Sequence, residues 1–224
     1  MKNQIENTNE PNCELKVAVQ EPNPDEAADL GILLELGSIG AGHAATSLSD
    51  VLQQQVAIEI PKIHKIPPIS LYERYKDKDS QPTTAVYMKL ADSECDILLM
   101  FEVSEAKKIA AMMTMAPSIE ELDPAMEESA IQELANILIG AFLSAISDFT
   151  GLQLMMSTPH RVVDTLGTIM DNFIVKQAML SEQALIFDTH FKRSDEDASS
   201  MLMLFPSPQL LDALVKKSKE QMGL

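Results

Sequence analysis

The most apolar stretch of the chain, Met126 to Thr150 (MEESAIQELANILIGAFLSAISDFT), repeats its hydrophobic positions at helical period. At about 100° per residue, Ile131, Leu134, Ala135, Leu138, Ala141, Phe142, Ala145 and Ile146 cover most of the circumference. The polar remainder is narrow. Ser129, Glu133, Asn136 and Gly140, at spacings of 4, 3 and 4, form one line along one face, flanked by Ile137 and Leu143. An ordinary surface helix carries a broad polar face, so this helix is predicted to be buried except along that line. A carboxylate and an amide three residues apart on a rigid helix point the same way. Gly140, one turn further on, leaves room for another backbone to approach.

The same pattern occurs a second time, 98 residues earlier, in Leu30 to Asp50 (LGILLELGSIGAGHAATSLSD). Glu35 aligns with Glu133, Ser38 with Asn136, Gly42 with Gly140, and beyond the helices Pro61 aligns with Pro159. Further on, ILLMFEVSEAKKIAAMM (97–113) resembles MLMLFPSPQLLDALVKK (201–217). This is an internal duplication. It predicts a single domain over 26–224 made of two repeats, about 26–117 and 124–222, preceded by a flexible polar tail over 1–25.

Read in order, the first long helix runs from about Asp25 or Glu26 to Leu52, with Asp25 as a candidate cap. Gly37, Gly40 and Gly42 lie inside it, each at a cost of about 1 kcal/mol against alanine, which points to close packing on that face. QQVAIEI (54–60) reads as a strand ending at Pro61, followed by a short helix near ISLYERY. TTAVYMKLA and CDILLMFEV read as an antiparallel pair turning at Asp92 and Ser93, and Ser104 as the cap of the helix SEAKKIAAMMT. Pro117 to Asp123 connects the halves. The second half is expected to repeat the order: the long helix, LQLMMS up to Pro159, a short helix near Arg161 to Leu166, strands NFIVKQAML and ALIFDTHFK, an acidic loop SDEDASS, strand MLMLF, and a last helix from about Pro208. The fold class is therefore α+β: an internally duplicated, pseudo-two-fold domain with about six strands in a mainly antiparallel sheet and two long helices side by side on one face.

Composition narrows the function classes. A formal net charge of −17 disfavours nucleic acid and anionic membrane surfaces as partners. No apolar run approaches the roughly 20 residues of a membrane span and no secretory signal opens the chain, so no membrane insertion is expected. Cys13 and Cys95 have no metal-type spacing, and a reducing, cytoplasmic setting is the natural reading. Fourteen methionines without tryptophan predict a pliable aliphatic core, with an adaptable binding surface as the lesser alternative. None of His43, His64, His160 and His190 pairs at ligand spacing, and no metal site is expected. GSIGAG is not a dinucleotide loop, because the residues before it are helical in period and no P-loop lysine follows.

The stretch LLELGSIGAGHAATSLSDVL resembles the helix signature of the CheC family of chemotaxis phosphatases, E-x-G-N-I-G-x-G-N-A-x-T-A-L-S. The family's site pattern is Asp or Ser, three residues, Glu, two residues, Asn, then twenty-two residues to Pro. Ser129, Glu133, Asn136 and Pro159 match every position. The first half keeps Glu35 and Pro61 but has Gly31 for the Asp or Ser, Ser38 for the Asn, and His43 for the second Asn of the signature, which marks a degenerate first site. The resemblance covers about residues 26 to 220. The flagellar switch proteins, which share a related middle domain, fit less well, because the chain ends at Leu224 where they carry a further domain.

The resemblance implies hydrolysis of the aspartyl phosphate of the response regulator CheY. Asn136 would orient the attacking water, an amide being able both to donate to and accept from it. Glu133 would grip the regulator's lysine beside the phosphoaspartate. The Mg²⁺ would sit on the regulator, with no cofactor on this chain. Ser129 is placed to cap or steady Glu133, and Pro159 to shape the strand end beside the helix. The alternative is a weakly catalytic or non-catalytic adaptor that docks a response regulator or the receptor deamidase CheD on the same face.

Overall fold

The computed structural model describes residues 24–90, 95–177, 183–193 and 196–223. The expected turn at Asp92 and Ser93 lies outside them, as does the tail expected over 1–25 up to residue 23; Pro24 and Asp25 already belong to the first helix. The two long helices are α1 (Pro24–Leu52) and α4 (Pro124–Thr150). Between them come β1 (Ala57–Ile66), α2 (Ser70–Tyr75), a 3₁₀ turn (Lys76–Lys78), β2 (Pro82–Leu90), β3 (Cys95–Glu102) and α3 (Val103–Thr114). After α4 come β4 (His160–Thr165), α5 (Leu166–Gln177), β5 (Ala184–Arg193), β6 (Glu196–Phe205) and α6 (Pro208–Met222).

The six strands form one antiparallel sheet in the order β1-β5-β6-β3-β2-β4. Paired as repeats (β1 with β4, β2 with β5, β3 with β6), this order reads the same from either end. The pseudo-two-fold axis lies between β3 and β6, where Leu98 faces Met203 and Leu99 faces Leu202. Each half lends its first strand to the other half's edge, β1 onto β5 and β4 onto β2. Neither half can therefore complete its sheet alone.

Helices cover both faces. One core packs α1, α3, α4 and α6 on Val86, Ile97, Leu99, Phe101, Leu185, Phe187 and Leu202. The other packs α2 and α5 on Ala85, Leu98, Met100, Ile186 and Met203. β3 is buried from Cys95 to Phe101 because helices lie above and below it, which is why its sequence reads as a continuous apolar run rather than an alternation. Burial also pushes the Cys95 thiol up to about 12.

The local readings needed correction at several points. Residues 172–180, expected as a strand, belong as far as Gln177 to helix α5: Leu166, Ile169, Met170, Phe173 and Ile174 repeat at 3–4 spacing and Ile169, Met170 and Ile174 are buried. The short helix expected at Arg161 to Leu166 is the edge strand β4, whose β-branched Val162 and Val163 suit a pleated edge. The acidic stretch expected as a loop is, from Glu196, already β6. LQLMMS forms no strand; among the described residues it meets the sheet at the isolated bridge Met156–Leu90 and through Ser157 on Lys89. β1 continues through Pro61, where a register shift between Glu59 and Lys62 accommodates a residue that cannot donate to the ladder. Asp25 lies within the first turn of α1, whose first residue is Pro24. Ser104 lies within α3, whose cap position is Glu102, because β3 runs straight into that helix.

α4 is started by Asp123, whose carboxylate accepts from the backbone N–H of Ala125 and Met126 at 2.9 and 3.2 Å. It is ended by Gly151 at φ 73°, which a residue with a Cβ adopts only with strain. By length and composition α4 could cross a membrane, with a mean hydropathy of 1.5 over 18 residues, which the search for an unbroken apolar run missed. Of that window 56% is buried in this fold against its neighbours, the situation of a core helix.

α1 and α4 pack side by side through a notch. A Cβ on Gly40 would lie 2.4 Å from the ring of Phe142, and one on Gly37 would lie 2.8 Å from the ring of Phe187. Those two rings lock each other edge to face at 5.5 Å, so neither yields easily. Gly40→Ala is expected to lower stability, since overpacking costs about 1–3 kcal/mol and outweighs the gain in helix propensity. Gly42→Ala is expected to raise it by about 1 kcal/mol, because a Cβ there meets nothing within 4 Å. Thermal denaturation of the two variants should thus shift in opposite directions. The close packing expected at all three glycines holds at two of them.

Candidate active site

The narrow polar line of α4 is the part of that helix which faces solvent. Ser129 and Glu133 are exposed, Asn136 and Gly140 are half-buried, and Ser144 and Asp148 continue the line exposed. Leu143, expected as a flank, is buried at 2% exposure, while Ile137 is half-buried. Beneath the line, Ile131, Leu134 and Ala135 are fully buried and fix the rotation of the helix. Glu133 and Asn136 therefore stand on the same surface, about 4.5 Å apart along the axis, held by a buried backbone rather than a loop. No hydrogen bond or ion pair among the described residues holds either side chain, so both are available to a partner. Ser129 makes no hydrogen bond to Glu133 among the described residues, so the expected steadying contact is not formed here.

Gly140 has a different neighbour from the one expected. Its face is covered by Met156, whose Cε would lie 3.0 Å from an added Cβ. The space left by the glycine is thus filled from within the chain. Met156 is held there by the bridge to Leu90 and by Ser157, whose N–H donates to the Lys89 carbonyl at 2.8 Å and whose hydroxyl accepts from the Lys89 N–H at 3.0 Å. Pro159, half-buried, closes this segment just before β4. Sequence periodicity gave no signal for Met156, because the segment that carries it has no regular period.

Next to the line, the first turn of α4 is anchored by an ion pair between Glu127 and Arg161 of β4, both about nine-tenths buried. Arg161 also donates to Thr84 Oγ1 of β2 at 3.4 Å. This pair, which sequence reading did not single out, ties the start of the site helix to the edge of the sheet.

α1 presents the matching line. Gly31, Glu35, Ser38 and Gly42 are all exposed. The Ser38 hydroxyl is turned back on its own helix, donating to the Leu34 carbonyl at 2.9 Å. Gly42, unlike Gly140, has open space above it. The two lines share position and direction but differ in the group at the amide position and in the cover over the glycine. Among the described residues, no three His, Cys, Asp or Glu side chains are grouped to hold a metal ion.

Comparison with known proteins matches residues 126–163, the site helix through β4, to the CheC-like family. The chain is 28% identical over 164 residues to the CheY-P phosphatase CheC of Bacillus subtilis, covering 71% of this chain and 78% of that protein. Over the site helix the chain is thus similar to the CheC family. It is also 30% identical over 153 residues to the flagellar motor switch phosphatase FliY of the same organism, covering 63% of this chain but only 39% of that protein. Its fold is that of the crystal structure of Thermotoga maritima FliY, with a TM-score of 0.71 at 17% identity over 90% of this chain and 100% of that one. The FliM middle domain from H. pylori also shares it, at a TM-score of 0.60 and 10% identity over 85% of this chain and 98% of that one. The family match falls on the stretch that holds Ser129, Glu133, Asn136, Gly140 and Pro159 together.

Proposed function

We propose that this chain is a phosphatase of a phosphorylated CheY-type response regulator, acting through Glu133 and Asn136. The observation that supports this most is the Glu133–Asn136 pair on the solvent-facing line of a largely buried helix, in a chain whose curated relatives are named as phosphatases. Hydrolysis of an aspartyl phosphate needs little from the protein beyond a water held in line with the phosphorus and electrostatics already in place. The carboxamide of Asn136 accepts one hydrogen bond from that water and donates another, without needing a pKa near neutrality. The water oxygen bonds to phosphorus, the acyl phosphate P–O bond breaks, and the regulator's carboxylate and inorganic phosphate leave. Glu133 engages the lysine beside the phosphoaspartate and so sets the register of the amide. The Mg²⁺ that neutralises the phosphoryl oxygens belongs to the regulator. The test is phosphate release from phosphorylated regulator with catalytic amounts of this protein. Multiple turnover supports the reading, and stoichiometric protection of the phosphoryl group or no effect overturns it.

The first line is expected to be catalytically silent. Ser38 is shorter than asparagine and its hydroxyl is occupied by the Leu34 carbonyl, while a displacement of about 1 Å suffices to lose most positioning benefit. In an Asn136→Ala background, Ser38→Asn is expected to restore measurable turnover. An Asn136→Ala variant that keeps half the wild-type rate would show instead that the first line is already active.

A further inference from the structure

We infer that the shallow groove beside Glu133 is a docking site for an apolar, positively charged surface of the regulator, adjoining the candidate site and reaching beyond it. This rests on the proposed phosphatase reading. The groove, of about 490 Å³, lies between the ends of α1, α3 and the first turns of α4, and shares Ser129 and Glu133 with the candidate site. Its apolar lining includes Val51, Met113 and Met126, with Val51 and Met126 each about half exposed. The connection 115–123, which joins the Met113 wall to the Met126 wall, adds Met115 at 89% exposure and Ile119 at 39%. While Met88, Met100 and Met203 fill the core and Met113 packs partly buried against it, Met115 and Met126 face solvent. Flexible thioether side chains on a surface suit a partner whose shape they must follow.

Charge selects the partner. From Met115 to Glu133 the sequence holds Glu120, Glu121, Asp123, Glu127, Glu128 and Glu133 and no Lys, Arg or His. Among the described residues, only Glu127 is neutralised there by a buried partner, Arg161. At the α1 end, Asp50 adds a further exposed carboxylate. The cations of α3, Lys107 and Lys108, lie in its first two turns, and Lys108 is paired with Glu105 at 2.9 Å. An apolar floor that includes Glu133, joined to a connection and helix start rich in carboxylates, favours a surface carrying lysine or arginine around an apolar patch. It disfavours a second copy of this chain, whose formal net charge is −17. A regulator that offers its lysine to Glu133 lies against this groove, because the groove and the carboxylate are one continuous surface.

The experiment is steady-state phosphate release with full-length protein and phosphorylated CheY-type regulator. Val51→Ser with Met126→Ser is expected to raise KM roughly tenfold or more, the scale of losing two apolar contacts, with kcat within about twofold and an unchanged melting temperature. Glu121→Lys with Glu128→Lys is expected to raise KM and flatten its dependence on salt. If both double variants keep the wild-type KM, the groove is not the docking site. If wild type shows no turnover, binding of beryllofluoride-loaded regulator by calorimetry replaces KM. Binding weakened by both double variants then keeps the groove while the phosphatase reading falls, and no binding, or binding unaffected by them, overturns the groove.

Discussion

Asn136→Ala is expected to reduce phosphate release from phosphorylated regulator by roughly 10²-fold or more, while leaving the melting temperature unchanged or slightly raised. The rate loss follows from what the residue does: it supplies two directed hydrogen bonds to a water, and a methyl group supplies none. A hundredfold corresponds to about 2.7 kcal/mol of transition-state stabilisation. The fold should tolerate the change because the side chain is half-buried on the solvent line, makes no hydrogen bond within the described chain, and gives way to a better helix former. Glu133→Ala is expected to behave differently, raising KM as well as lowering the rate, since a carboxylate that grips the regulator's lysine contributes to binding before chemistry. Steady-state kinetics of the two variants side by side separates the roles. A fully active Asn136→Ala variant would remove the amide from the mechanism.

Arg161→Met should lower stability by about 3–5 kcal/mol, because it strands the Glu127 carboxylate in a site about nine-tenths buried. For a chain of this size that is a drop in melting temperature on the order of 10 °C. The loss belongs to the unpaired charge rather than to the pair. Removing both partners, Glu127→Leu with Arg161→Met, is therefore expected to recover most of it. A single variant as stable as wild type would show that Glu127 finds water in place of the guanidinium. Circular dichroism melts of the two single variants and the double variant decide the matter. The pair joins α4 to β4, so its loss should also loosen the start of the site helix and lower turnover at temperatures where the fold is still intact.

The two long helices, their shared polar line and the duplication were legible because each depends on local periodicity and on repetition along the chain. Ile131, Leu134, Leu138 and Phe142 recur at the helical period whatever they pack against, and they are buried. Glu133 and Asn136 fall on one face by spacing alone. Segments whose period was weak or mixed were not legible. Val162 and Val163 became an edge strand because β2 was there to pair with, and Phe173 and Ile174 belong to a helix whose period shows only when they are read together with Leu166, Ile169 and Met170, which pack on the far face of the sheet. Strand exchange between the halves joins residues 73 to 135 positions apart in sequence, from Tyr87 with His160 to Ala57 with Lys192, which no window of sequence contains. The same holds at the site. Sequence determined which groups stand on the line. Tertiary structure decided that Met156 covers Gly140, that Arg161 neutralises Glu127 and that the ends of three helices meet in an apolar groove that includes Glu133, because each depends on which distant segments the shared sheet brings together.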